Sequence, residues 1–311
     1  MDSLNRMALE LTDEALEFAE ELRVGAVELD SGATVLDFGV DHVGGVEAGL
    51  LLAELQTAGL ATVQTRVDDV AGDTLPHVEV STDHPALALL CSQKAGWELA
   101  VDGFEGLGSG PARALVADER EFRQVGYTDA FEFAVLAVES DALPTDAVAC
   151  RVADRAGVDP GSVFLPTYPA ASTVGSVTAA ARAAELALFR LQDLDYDPTN
   201  VLTAEAVAPV VPVAGTESAA VARTTDALAY GGRVHLTVDE DADVFGGVPS
   251  TAADEYGAPF ADVFASHDWA LHEVPDAVFA PAQVTVSVVG GPTETYGTTR
   301  PDLLAAGYAS P

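Results

Sequence analysis

Few side chains in this sequence are of a kind and spacing that could do chemistry, and the clearest set lies in TVGSVTAAARAAELALFRL, Thr173 to Leu191. The run is small and apolar almost throughout, yet it carries Arg182 and Glu185. On a helix Thr178, Arg182 and Glu185 fall at i, i+4 and i+7 and share one face. A helix this rich in Ala and Leu buries most of its circumference, which would place a carboxylate and a guanidinium together away from water. Such a pair is either a structural ion pair, the commoner case, or a working acid–base group. A carboxylate beside a guanidinium stays ionised at neutral pH and can take a proton from water. Spacing alone leaves both readings open.

A second candidate is GLGSGPAR, Gly106 to Arg113, where glycines precede a helix opened by Pro111. Backbone N–H groups at such a turn, with Ser109 and Arg113 beside them, can face an anion. Plain turn-and-cap structure explains the pattern equally well. The sixth position from Gly106 is Pro111, so the dinucleotide fingerprint is absent, as is the Gly-Lys-Ser/Thr of a phosphate loop. The acidic run Asp239 to Asp243 begins like a calcium loop, but Val244 stands where Gly is needed and Ser250 where the bidentate Glu belongs. It reads as a solvated acidic loop. His42, His77, His84, His235, His267 and His272 form no tight ligand pattern, so no metal site is expected. There is no G-x-S-x-G nucleophile elbow, and Cys91 and Cys150 sit in apolar contexts that suit free thiols in a reducing cytoplasm. What remains is a water-activating carboxylate helped by arginine.

The elements that must hold these residues alternate between helical and strand-like periodicity, which gives a mixed α and β class, α+β or α/β. Helices are expected near residues 4–22, 47–58, 144–155, 173–191 and 217–229. Strands are expected near 33–40, 60–66, 133–140, 233–238 and 283–289. At 311 residues the chain can build two lobes, and a Pro- and Asp-rich stretch near 195–215 suggests halves of 1–195 and 196–311, with segments free to cross between them. No apolar stretch approaches the roughly 18 residues of a membrane span, and the N-terminus reads as an amphipathic helix rather than an export signal. Charge is the strongest compositional signal. Fifty acidic residues against fourteen basic ones give a net charge of -36, with Lys94 the single lysine. Such a surface repels nucleic acid and anionic membranes. Because the charges interleave with good core segments, they point to a folded protein adapted to high salt, where the Debye length falls to about 3 Å.

Read in order, several blocks resemble the methenyltetrahydromethanopterin cyclohydrolases. They are GATVLDFGVDHVGGVEAG (Gly32 to Gly49), GSGPAR (Gly108 to Arg113), LAVES (Leu136 to Ser140), ASTVGSV (Ala171 to Val177) and ARAAE (Ala181 to Glu185). They continue with RTTDALAYGGRV (Arg223 to Val234), VPSTAADEYGAPF (Val248 to Phe260) and FAPAQV (Phe279 to Val284). Two positions depart from the pattern. YPAAS at Tyr168 to Ser172 replaces the expected Pro-Thr-Ala-Ser run, and Thr225 stands where the family tends to have Asn. The resemblance implies two α/β lobes facing each other across a pterin-binding cleft, a homo-oligomer expected to be a trimer, and neither metal nor redox cofactor. It implies that Arg182 and Glu185 serve the reaction, with Thr178, Ser109 and Arg113 as candidate substrate contacts. The reaction implied is reversible hydration of 5,10-methenyltetrahydromethanopterin to the 5-formyl compound. A folate-type carrier, or a pterin-binding protein without catalysis, are the alternatives.

Overall fold

The Ser3 side chain accepts a hydrogen bond from the Arg6 N–H and so opens the first helix, α1 (Leu4–Glu17), which buries Leu4, Ala8 and Ala15 along one side. The computed structural model describes residues 2–267, 269 and 274–309. After α1 come α2 (Ala19–Leu22), β1 (Gly25–Glu28), β2 (Thr34–Asp37) and α3 (Val46–Gln56). The hairpin β3 (Thr62–Val70) and β4 (Asp73–Thr82) leads to a π-helical stretch, Ala86–Gln93, and to a second hairpin, β5 (Ala95–Val101) and β6 (Phe104–Ser109). Short helices α4 (Arg113–Val116) and α5 (Arg120–Val125) precede β7 (Ala134–Val135), β8 (Ala137–Glu139), α6 (Asp146–Ala156) and β9 (Val163–Tyr168). Then follow α7 (Thr173–Ala180), α8 (Ala183–Asp193), β10 (Val201–Pro209), α9 (Glu217–Asp226) and β11 (Arg233–Val238). The last elements are α10 (Phe260–Ser266), β12 (Gln283–Val288), β13 (Thr293–Gly297) and α11 (Pro301–Ala309). The class is mixed α and β.

Contacts gather these elements into two compact units, Met1–Thr62 with Ala86–Thr178, and Val63–Pro85 with Ala179–Pro311. The expected cut at residue 195 is not where the units divide. The reason is long-range pairing: β4 lies antiparallel to β10, with Val207 opposite Glu79, so the β3–β4 hairpin leaves the first unit for the second.

In the first unit a seven-stranded sheet runs β1-β2-β9-β8-β6-β5, with β7 also paired to β9. Its middle strands β2, β9 and β8 are parallel. Successive residues of β2 point to opposite faces. Val35 joins Trp97, Leu136, Val152 and Leu165 in a core shared with α6, while Leu36 joins Leu51, Leu52 and Val174 in a core shared with α1, α3 and α7. Burial on both faces is what a parallel sheet core requires. In the second unit a six-stranded sheet runs β13-β12-β11-β10-β4-β3, its only parallel pair among the described residues being β11 with β12. Helix α8 packs on β10 and β11.

Most expected elements appear within a few residues of their expected ends. The expected helix over 173–191 does not run unbroken. It stops at Ala180 and restarts at Ala183, with Arg182 as the residue preceding α8. The strand expected over 133–140 is two short strands, β7 and β8, and Pro111 opens only a one-turn helix.

Candidate active site

The break after Ala180 places Arg182 and Glu185. The Arg182 N–H bonds back to Ala179, and the Arg182 carbonyl accepts the first helical bond of α8 from Leu186. Arg182 thus sits at the mouth of α8 and Glu185 in its first turn, where the positive end of the helix dipole favours a carboxylate. Ala183, Ala184, Ala187 and Leu188 bury the rest of this turn, and the Glu185 side chain is only 2% exposed against 18% for Arg182. Arg182 Nε donates to Glu185 Oε2 at 3.0 Å, and its Nη2 lies 2.9 Å from the same oxygen. Both donors grip Oε2, so Oε1 takes no part in the pair and can face a water or a reacting atom. Thr178, expected on the same face, belongs to the helix before the break. Its hydroxyl donates to the Val174 and Gly175 carbonyls of its own helix, at 2.8 and 3.1 Å.

The glycine-rich turn is built differently from the expectation. Arg113 is completely buried. Its Nε and Nη2 donate to Glu119 at 3.0 and 2.5 Å, Nη2 also reaches Glu121 at 2.8 Å, and Nη1 donates to the Lys94, Leu90 and Ser92 carbonyls. Lys94 Nζ adds a bond to Glu121 at 2.8 Å. Every nitrogen of Arg113 is thus committed inside the first unit, in a closed network of carboxylates and carbonyls. Burial pushes the Glu119 carboxyl up, but the hydrogen bonds and charge of Arg113 outweigh it and hold the group well below the usual carboxylate range. Ser109, at the end of β6, is also buried and accepts a hydrogen bond from Gln56 Nε2 at 3.0 Å.

Comparison with known proteins covers nearly the whole chain. The family described as Cyclohydrolase (MCH) matches residues 3–308. A methenyltetrahydromethanopterin cyclohydrolase from Halobacterium salinarum is 66% identical over 308 residues, 99% of both chains. Those of Methanosphaerula palustris and Methanosarcina mazei are 36% and 35% identical, over 99% and 87% of each chain. The chain belongs to the methenyltetrahydromethanopterin cyclohydrolase family.

In this family member no group of three or more His, Cys, Asp or Glu gathers to hold a metal among the described residues. The run Asp239 to Asp243 is a largely exposed turn. His42 binds Asp37 and His235 bridges Glu205 and Ser287, while His272 lies outside the described residues. Cys91 is a free buried thiol whose pKa burial pushes to about 12, far from a nucleophile's. Sequence reasoning missed two polar features. One is a chain of hydrogen bonds through Gln56, Tyr168 and Glu139. The other is Asp226 at the end of α9, whose Oδ1 accepts the Phe260 N–H at 2.9 Å. Burial pushes its pKa up to about 7, against that one hydrogen bond and with the charge of Asp262 adding to the rise. Asp226 stands next to the apolar run ALAY, and a carboxylate so placed is the signal that would have found it.

Proposed function

We propose that this chain catalyses the reversible hydration of 5,10-methenyltetrahydromethanopterin to 5-formyltetrahydromethanopterin, with Glu185 as the general base and Arg182 as the residue that positions it. The observation that carries the reading is the one-sided grip on Glu185: a buried carboxylate held on one oxygen by the Arg182 guanidinium, in a family whose named members act on this carrier. The methenyl carbon bridges two nitrogens as an amidinium cation and is already electrophilic. The reaction therefore needs an oriented water and a base more than it needs an added Lewis acid.

Water adds to the methenyl carbon as Glu185 takes one of its protons. The hydroxyl proton of the neutral adduct then moves to N10 as the C–N10 bond breaks, which leaves the formyl group on N5. Release of the proton held by Glu185 restores the enzyme, so one proton appears per turnover and the reaction runs in either direction. The carboxylate also favours the cationic substrate electrostatically. Arg182 adds a second positive charge near that cation, a cost offset by holding the base in place.

We further read the protein as a homo-oligomer, expected to be a trimer as the family resemblance implies, working in the cytoplasm of a salt-adapted cell. The net charge of -36 and the free thiols of Cys91 and Cys150 support the last point. No helix among the described residues is long and apolar enough to cross a membrane.

The test follows the near-ultraviolet methenyl band in molar potassium chloride, with the methanopterin and the folate-type carriers compared. Protein-dependent loss of the band with the methanopterin carrier is expected. Loss with the folate carrier alone would move the activity to that carrier, and no loss with either would remove catalysis from the account.

A further inference from the structure

The seven-stranded sheet of the first unit ends in two open strands of different chemistry. β1 and β5 are its edges, each paired on one side alone among the described residues. An open edge offers backbone donors and acceptors to any strand that reaches it, and proteins guard such edges with charge or cover. On β1 three of the four residues are exposed, and Val27 keeps 51% of its surface in water. Val27 stands opposite Val35 of β2, so it lies on the face that packs α6. Glu28 and Asp30, both exposed, make this edge acidic.

Beside β5 the surface is concave. A groove of about 570 Å³ runs between the strand and α6, lined by buried Trp97 and Leu99 and by exposed Arg151 and Arg155. The two arginines stand one helical turn apart, and the Arg155 guanidinium lies over the Trp97 ring at 4.3 Å. Among the described residues neither forms an ion pair, in a chain whose acids outnumber its bases fifty to fourteen. Two copies that each carry a charge of -36 repel over most of their surface. The β5 groove is an exception, cationic at its rim and apolar within, and β1 offers its complement.

Strand direction fixes how the two edges can meet. β2, β9 and β8 are parallel, β6 reverses and β5 reverses again, so β5 runs with β2 and against β1. A sheet carried on from one copy into the next therefore pairs β1 with β5 antiparallel, and Val27 falls on the face that holds Trp97 and Leu99.

We propose that β1 of one copy adds to β5 of another, with Val27 seated against Trp97 and Leu99 beneath Arg151 and Arg155. The inference rests on the reading of the protein as a homo-oligomer. Because the two surfaces differ, the contact is head-to-tail and closes as a ring. Like charges narrow the register: opposite Leu99, Val27 would set Glu28 against Glu98, whereas a shift of two residues sets it against Ala100 or Gly96.

The test measures mass by light scattering in molar potassium chloride for wild type, Val27→Asp, Arg155→Glu and an equimolar mixture of the two variants. Each variant alone is expected to lose association by about 100-fold and to run as a single chain at micromolar concentration, with the circular dichroism of the wild type. The mixture is expected to form a two-chain species, because the intact β5 of Val27→Asp meets the intact β1 of Arg155→Glu and growth stops there. Wild-type mass in either variant, or a mixture that stays single-chain, overturns this proposal and leaves the homo-oligomer reading standing. A wild type that is itself a single chain overturns both.

Discussion

Two arginines of this molecule, Arg113 fully buried and Arg182 partly so, each meet glutamate, and they differ in what is left over. Around Arg113 nothing is left. Two carboxylates, three carbonyls and Lys94 close the network, and the Phe122 ring lies 5.4 Å from the guanidinium carbon. Around Glu185 one oxygen of the carboxylate stays outside the grip of Arg182. Saturation, more than burial or charge, separates a structural ion pair from one that can turn over a proton. Asp226 marks the far end of the same scale: it is buried with a single N–H donor, and its carboxyl is pushed up to about 7.

The comparison breaks first at Glu185. Glu185→Gln keeps shape and removes the proposed base, so kcat is expected to fall on the order of 10³-fold, while circular dichroism and melting stay those of the wild type. Next in size is Arg113→Met, which takes the buried guanidinium from Glu119 and Glu121 and leaves Lys94 to face both. Loss of one partner from a buried network costs about 3–5 kcal/mol, readable as a shifted urea midpoint, while the fraction still folded should keep its kcat. Retained stability in that variant would erase the distinction between the two arginines.

Asp226 sharpens the scale through pH. Its folded-state pKa is raised above the unfolded value near 3.8, so the folded protein binds the extra proton between about pH 4 and pH 7. Stability from this group is complete below pH 4 and is lost as pH rises to about 7, at up to about 1.4 kcal/mol per pH unit. Asp226→Asn should remove that slope, so that chemical denaturation at pH 5 and pH 7 differs less than in wild type. The smallest effect expected is that of Arg182→Lys, which keeps the charge and loses the second donor. About a tenfold drop in kcat, with KM little changed, would fit a residue that aims the base.

How much of this was legible in residues alone follows from how local each feature is. Arg182 and Glu185 are three residues apart in one apolar run, and their pairing needed only helical spacing to be foreseen. The break between Ala180 and Ala183 was not legible, because an Ala-rich run has high helix propensity throughout and nothing in it signals a stop. The network around Arg113 was not legible for the opposite reason. Its Gly-Ser-Gly-Pro setting looks like an anion cradle, while the groups that satisfy it, Glu119, Glu121 and the carbonyls of Leu90 to Lys94, only meet it through the fold. The unit boundary depends on β4 finding β10 well over a hundred residues later, and the Gln56–Tyr168–Glu139 relay joins three distant segments. Pairing at that range leaves no local periodicity to read.

The most direct test of the central claim neutralises one glutamate in each network without changing its shape. Glu185→Gln and Glu121→Gln are compared by single-turnover decay of the methenyl band, with enzyme in excess, and by urea denaturation in molar potassium chloride. The account predicts that Glu185→Gln loses turnover and keeps its stability, while Glu121→Gln loses stability and, in its folded fraction, keeps its turnover. Wild-type decay in Glu185→Gln, or lost turnover in well-folded Glu121→Gln, would contradict it.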